Sequence, residues 1–169
     1  VNSCRTYVAA GMDFINANAH PNTRLKVVAN LYYPGYNADN VQSSCKDATT
    51  GQTVNLRDRF LPAIAKMNYA MCDLARQKGF QCVDNFAQYM GADYDSNGDG
   101  QVDSAALRYV AGESEASYLT RITSTLRPTL RDANTHFATA SSSFDYIQSD
   151  DVHPTYTGGT VSAGLWGGT

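Results

Sequence analysis

An aspartate stands three residues before a histidine in Ser149-Asp150-Asp151-Val152-His153-Pro154, and a proline follows at once. A turn of that kind can hold a carboxylate against one nitrogen of the imidazole. The pair is two-thirds of a Ser-His-Asp charge system, in which the histidine takes the nucleophile's proton and the aspartate fixes the tautomer and stabilises the imidazolium. His153 is the candidate general base and Asp150 its orienting acid; the adjacent Asp151 competes for the second role. Pro154 restricts the backbone before it, and Phe144-Asp145-Tyr146-Ile147 is an apolar stretch suited to anchoring the segment. Against this stands the commoner fate of a lone histidine, which is structural. A metal site made of Asp150, Asp151 and His153 is sparse in ligands for zinc.

A nucleophile is harder to find. Gly112-Glu113-Ser114-Glu115-Ala116 partly imitates a Gly-x-Ser-x-Gly elbow, but it lacks the final glycine and follows no clear strand. Two acids beside the serine would oppose a developing oxyanion. Ser114 reads better as the N-cap of a helix. Ser141, Ser142 and Ser143 fall in a small, polar, loop-like stretch with no elbow.

The second chemical motif is acidic: Asp93-Tyr94-Asp95-Ser96-Asn97-Gly98-Asp99-Gly100-Gln101-Val102-Asp103. Calcium takes six to eight hard oxygens from a sharply turning loop. With Asp95 at position 1, Asn97 falls at 3, Asp99 at 5, Gly100 at 6, Gln101 at 7 (through its carbonyl) and Asp103 at 9. Over those nine residues the loop resembles the calcium loops of dockerins and EF-hands. It departs at position 12, where Ala106 stands in place of a bidentate Glu; Asp93, Glu113, Glu115 or water would have to supply that ligand. The competing reading is an Asp/Asn/Gly-rich turn with no ion.

The bulk numbers narrow the class. The chain has 169 residues, enough for one domain with a real core, and a net charge of −3. Its 13 Lys and Arg are scattered rather than striped, which argues against nucleic acid. No apolar run approaches the roughly 18 residues of a membrane span. Val1 in place of Met reads as a processed start. Cys4, Cys45, Cys72 and Cys82 are widely spaced with no C-x-x-C pair, which favours two disulfides over zinc. All three pairings remain open, and four free thiols in a cytosolic protein is the alternative. The Asn, Ser, Thr and Tyr content agrees with a secreted or periplasmic protein.

These residues need elements to position them. Tyr7, Val8, Met12 and Ile15 predict a helix over 5–19, ended by His20-Pro21-Asn22. Leu25 to Tyr32 reads as a buried parallel strand, stopped by Pro34-Gly35. Residues 37–54 read as a loop. Asn55 caps a helix whose stripe is Leu56, Phe60, Ile64, Met67, Met71 and Leu74, and Gly79 stands where a C-cap belongs. Phe80 to Asp84 is a second strand, and a helix follows from Glu115 to Leu126. Helix, strand, long helix and strand make an α/β rhythm. Two good parallel strands are too few for a doubly wound sheet, which has about five.

The Asp150-x-x-His153-Pro154 block, with Thr155 and a glycine a few residues on, resembles the last block of the SGNH (GDSL-type) hydrolases. Leu25 to Tyr33 followed by Pro34-Gly35-Tyr36-Asn37 is similar to the late central strand of that family and its loop. The resemblance implies a three-layer α/β/α, flavodoxin-like fold in which residues 1–169 are the C-terminal portion of one domain, with a calcium-loop insertion around 93–106. It also implies an esterase or lipase whose Asp150 and His153 complete a triad. The family's Gly-Asp-Ser and Gly-x-Asn-Asp blocks are missing, so the nucleophile and oxyanion donors would belong to an N-terminal part on a companion chain, or lost. Substrates would be small esters, lipids or acetylated glycans, met in part by Tyr32, Tyr33 and Tyr36. The alternative is a non-catalytic, calcium-stabilised module of a secreted protein.

Overall fold

The computed structural model of the chain describes residues 2–31, 41–91, 104–126 and 160. Helix α1 spans Asn2–Asn18. It starts earlier than its periodicity suggests and ends before His20-Pro21, because the residue preceding a proline is disfavoured in the α region. Only Met12 of α1 is buried. Tyr7, Phe14 and Ile15 remain exposed on its outer side.

Strand β1 (Val27–Ala29) pairs in parallel with a later strand, β4 (Gln81–Val83), in the register Val27–Gln81, Val28–Cys82, Ala29–Val83. The Gln81 amide donates to the Lys26 carbonyl at 2.8 Å and the Asn30 amide to Val83 at 3.0 Å, extending the ladder by one bond at each end. The regular strand is therefore shorter than the apolar run that predicts it. The segment expected to be loop instead contains an antiparallel pair, β2 (Val41–Lys46) with β3 (Thr53–Asn55). Its connection turns on Asp47, whose Oδ1 accepts from the amides of Thr49 (3.0 Å) and Thr50 (2.9 Å). Those amides, Thr50 first, hold the Asp47 carboxyl below the usual carboxylate range. The paired residues are Val41 with Asn55 and Lys46 with Thr53, and the register shifts between them, a bulge or irregularity in the longer strand.

Helix α2 spans Leu56–Lys78 and carries Arg76 and Lys78 in its last turn, where cations suit the dipole. Gly79 has φ +73°, and the Phe80 amide closes back on the Ala75 carbonyl at 2.8 Å, a Schellman ending. The predicted stripe is buried in part: Leu74 is buried, Ile64, Met67 and Met71 are half-buried, and Phe60 is 48% exposed. The other buried side chains of α2 are Leu61, Ala65, Asn68, Tyr69, Ala70, Cys72, Asp73 and Ala75. Met67, Met71 and Leu74 turn toward α1, where they line a shallow groove with Cys4, Arg5 and Val8.

A disulfide joins Cys72 of α2 to Cys82 of β4, with Cα atoms 5.1 Å apart. Closing so short a loop restricts the unfolded chain by about 2–3 kcal/mol. Cys4 carries a free thiol, so it does not take part in the second of the two disulfides expected; the Cys45 side chain lies outside the described residues.

Three short helices follow: α3 (Asn85–Gly91), α4 (Ser104–Leu107) and α5 (Glu115–Thr120). The helix expected to run to Leu126 changes at Arg121–Thr125 into a π-helical turn. Ser114 is the N-cap of α5, its hydroxyl accepting from the Ser117 amide at 3.1 Å. One core gathers Leu61, Ala65 and Tyr69 of α2 with Phe86, Ala87, Met90, Leu107, Tyr118 and Ile122. A second joins Met12 to Leu74, Ala75 and Phe80, flanked by Val28 and Cys82. The whole is a helix-rich arrangement around small sheets, compatible with the α/β class. Among the described residues no helix is long and apolar enough to cross a membrane.

Candidate functional site

In open α/β sheets ligands bind outside the carboxyl ends of the strands, and the described residues concentrate buried polar groups there. Asn30 directly follows β1 and Asp84 directly follows β4. Side chains alternate along a strand, so Asn30 continues the face of Val28, and Asp84 that of Cys82, toward α2. Asn30 is 3% exposed. Its Nδ2 donates to Asp84 Oδ1 at 2.7 Å and lies 3.8 Å from Cys72 Sγ, while its Oδ1 accepts from the Phe86 amide at 2.9 Å.

Asp84 is the hub of this network. Oδ1 also accepts from the Ala87 amide in the first turn of α3 (3.0 Å), and Oδ2 accepts from the Tyr109 amide beyond α4 (2.8 Å). One carboxylate thus ties together the end of β1, the start of α3 and the chain leaving α4. An acidic group at a helix N-terminus is favoured by both its free amides and its dipole.

Asn68 holds the other exit. It sits inside α2 and is fully buried (0% exposed). Its Oδ1 accepts from the Leu31 amide at 2.9 Å and its Nδ2 donates to the Leu31 carbonyl at 2.8 Å. The side-chain amide therefore pairs with both backbone groups of Leu31, its N–H and its C=O, as a neighbouring strand would. A neutral hydrogen bond nets about 0.5–1.5 kcal/mol, and a buried amide without partners costs about 1–3 kcal/mol. Together the two bonds satisfy the buried amide and fix the backbone at Leu31.

A second polar cluster lies between the start of α1, α2 and the start of α5. Asp73 accepts from Arg76 (3.0 Å), Gln77 (2.6 Å) and the Tyr109 hydroxyl (3.2 Å), with Arg5 at 3.9 Å. Tyr69 donates to the Glu113 carbonyl at 2.7 Å and meets Tyr109 and Tyr118 ring to ring, at 5.6 and 5.7 Å. Burial pushes the phenols of Tyr69, Tyr109 and Tyr118 upward, so all three stay neutral. Tyr69 and Tyr109 are hydrogen-bonded as well as neutral, and groups of this kind build structure.

The residues singled out by sequence fall elsewhere. Asp150, His153 and the alternatives Asp151 and Ser141 to Ser143 lie outside the described residues. So do Tyr32, Tyr33 and Tyr36, and the calcium candidates Asp95, Asn97, Asp99, Gln101 and Asp103. The acidic segment is nevertheless bracketed: α3 ends at Gly91, α4 begins at Ser104, and Phe86, Ala87 and Met90 of α3 share a core with Leu107 of α4. Arg121 fastens the far side. Its guanidinium spans both Glu113 oxygens (Nε to Oε1 3.1 Å, Nη2 to Oε2 2.6 Å) and donates to the carbonyls of Ala106 and Arg108. Among the described residues, no group of three or more His, Cys, Asp or Glu side chains could hold a metal ion. Residues 92–103 lie outside the described residues.

Sequence reasoning passed over Asn30, Asn68 and Asp84. A signal was available for two of them: one polar residue stands immediately after each apolar strand, at equivalent places. Asn68, inside a helix, gave none. Comparison with protein-family models, curated proteins and solved structures finds no match to this chain.

Proposed function

We propose that the chain is the C-terminal part of a serine ester hydrolase of the SGNH type, with a three-layer α/β/α fold completed by a companion N-terminal polypeptide. The single observation that carries the reading is the block Asp150-x-x-His153-Pro154. The fold supports it in a coarser way. A parallel strand pair joined through a long helix is the α/β building unit, and its carboxyl ends are braced by buried polar side chains. Strand β1 is only half-buried and its second edge has no strand partner among the described residues. Exposed Tyr7, Phe14, Ile15 and Leu25 are apolar surface that further strands and helices would cover.

On this reading His153 takes the proton of a serine supplied by the N-terminal part as that oxygen attacks the ester carbonyl, then returns it to the leaving alcohol. Asp150 accepts from the imidazole and holds its tautomer. Water hydrolyses the acyl-enzyme in the second half of the cycle. The substrate is an ester of a small acid, a lipid or an acetylated glycan. Calcium, bound by Asp95, Asn97, Asp99, Asp103 and the Gln101 carbonyl, stabilises the segment between α3 and α4 and takes no part in the reaction. The setting is secreted or periplasmic, in keeping with the disulfide.

The test is turnover of p-nitrophenyl acetate by the native protein with any companion chain. A serine-directed fluorophosphonate should stop it. His153→Ala should abolish it while the circular dichroism spectrum is retained. Activity within tenfold of wild type in that variant would remove His153 from the mechanism. A native protein without any turnover would favour the calcium-stabilised module, which the bracketing of the acidic segment by α3 and α4 supports independently.

A further inference from the structure

Three sulfur-bearing residues line one groove, and the hydrolytic reading uses none of them. Met67 and Met71 stand four residues apart on α2, so they share a face of that helix. Cys4, near the start of α1, lines the same groove from the facing helix. Its thiol is free. All three residues are half-buried, neither sealed in the interior nor fully on the surface. Methionine and unpaired cysteine commonly serve as core filler, but the cores of this protein do not use these. Val8 and Leu74, which line the same groove, belong to the Met12 core, whereas Cys4, Met67 and Met71 belong to neither core.

The donor set selects an ion. One thiolate and two thioethers are soft ligands, suited to Cu(I) and unsuited to calcium or magnesium, which take oxygen. Of the described residues lining the groove, none carries an imidazole or a carboxylate. Charge points the same way. A monovalent cation on one thiolate is neutral overall, which fits a groove whose other walls are Val8, Ala70 and Leu74. A divalent ion there would leave a positive charge beside apolar groups, which is costly. Arg5 is the one charged residue among those lining residues, and its guanidinium lies 3.9 Å from the carboxylates of both Asp73 and Glu115, which offset it. We propose that Cys4, Met67 and Met71 form a binding site for Cu(I) in the groove between α1 and α2. On binding, the Cys4 S–H bond is replaced by an S–Cu bond and the proton passes to solvent. The two thioethers donate lone pairs, and copper remains Cu(I) throughout. The site is independent of the esterase reading.

The test is a titration of the native protein, disulfide intact, against Cu(I) held by bicinchoninate, under nitrogen with ascorbate to keep the metal reduced. Wild type should withdraw copper from the chelator, and Cys4→Ser should withdraw one equivalent fewer. Met67→Leu and Met71→Leu nearly conserve volume, so the free proteins should keep the wild-type circular dichroism spectrum and Tm. Each should nevertheless weaken the Cys4-dependent site by about tenfold or more, the equivalent of about 1.4 kcal/mol or more. X-ray absorption of the copper-loaded protein should show sulfur neighbours, with one fewer in either leucine variant. A wild type that withdraws no copper, or an unchanged number of equivalents in Cys4→Ser, would overturn the site. Equal affinity in wild type and both leucine variants would assign the ion to the thiol alone, overturning the three-sulfur site and leaving the methionines as packing.

Discussion

Replacing Arg121 by lysine keeps the charge and removes the geometry. The guanidinium donates through Nε and Nη2 to the two oxygens of Glu113, and through Nη1 and Nη2 to the carbonyls of Ala106 and Arg108. It also lies 5.2 Å from the ring centre of Tyr118. An ammonium on a flexible stem cannot make a fork or reach both carbonyls together. The side chains of Arg121 and Glu113 are only 23% and 11% exposed, so solvent compensates poorly. Loss of two or more charge-assisted bonds of about 1.5–3 kcal/mol each, less what lysine recovers, puts the cost at about 2–4 kcal/mol. For a chain of this size that is a fall in Tm of about 5–15 °C. The pH dependence identifies the carboxylate. Arg121 holds the Glu113 carboxyl below its ordinary value, more strongly than burial raises it. A group depressed in the fold stabilises fully above its unfolded value, about 4.3 for Glu, and loses that contribution as pH falls through the folded value. Urea midpoints of wild type and Arg121→Lys should therefore stand apart at pH 7 and converge toward pH 3. A gap of under about 0.5 kcal/mol at pH 7, or one that stays constant on acidification, would refute the assignment.

Two further outcomes follow from single groups. The Tyr118 hydroxyl is buried and finds no hydrogen-bond partner among the described residues, so Tyr118→Phe should leave stability unchanged or raise it by about 1 kcal/mol. Because burial, and then the charge of Asp84, raises the Tyr118 phenol, stability present below the unfolded value of about 10 should decline as pH rises past it, and less so in the phenylalanine variant. A loss above about 1 kcal/mol in that variant would show that the hydroxyl has a partner after all. For calcium, a chelator should lower Tm and calcium at a hundred times its Kd should restore about 2.7 kcal/mol. A Tm indifferent to both would dispose of the ion.

What could be read in advance depended on whether large apolar residues marked the interface. Both parallel strands, the Gly79 ending of α2 and the Ser114 cap were legible because each rests on a local rule. The buried face of α2 was legible only in part, since beside Leu74 it includes Ala65, Asn68, Cys72 and Ala75, residues that a hydrophobic stripe overlooks. The β2–β3 pair was hidden because residues 37–54 are mostly polar and the pairing is irregular between Val41 and Lys46. Asp150 and His153 were proposed from a spacing and lie outside the described residues. Of the groups that brace the sheet's carboxyl ends, Asn30 and Asp84 each follow an apolar strand directly, whereas Asn68 becomes visible only when α2 is brought against the end of β1.

That bracing answers a physical difficulty. A two-stranded sheet is marginal by itself, and the β1–β4 ladder is only three residue pairs long. Backbone bonds of that number leave the two loop exits weakly held. Here the exits are held from the side: Asp84 by three donors, Asn30 between Asp84 and the Phe86 amide, Leu31 by Asn68, and β4 by the Cys72–Cys82 bridge. Asn68 and Cys72 are four residues apart on α2, one turn of one face. The same stretch of helix therefore grips β4 by a covalent bond and the Leu31 backbone by two hydrogen bonds. A shift of α2 along the sheet would move both exits together, preserving their relative geometry.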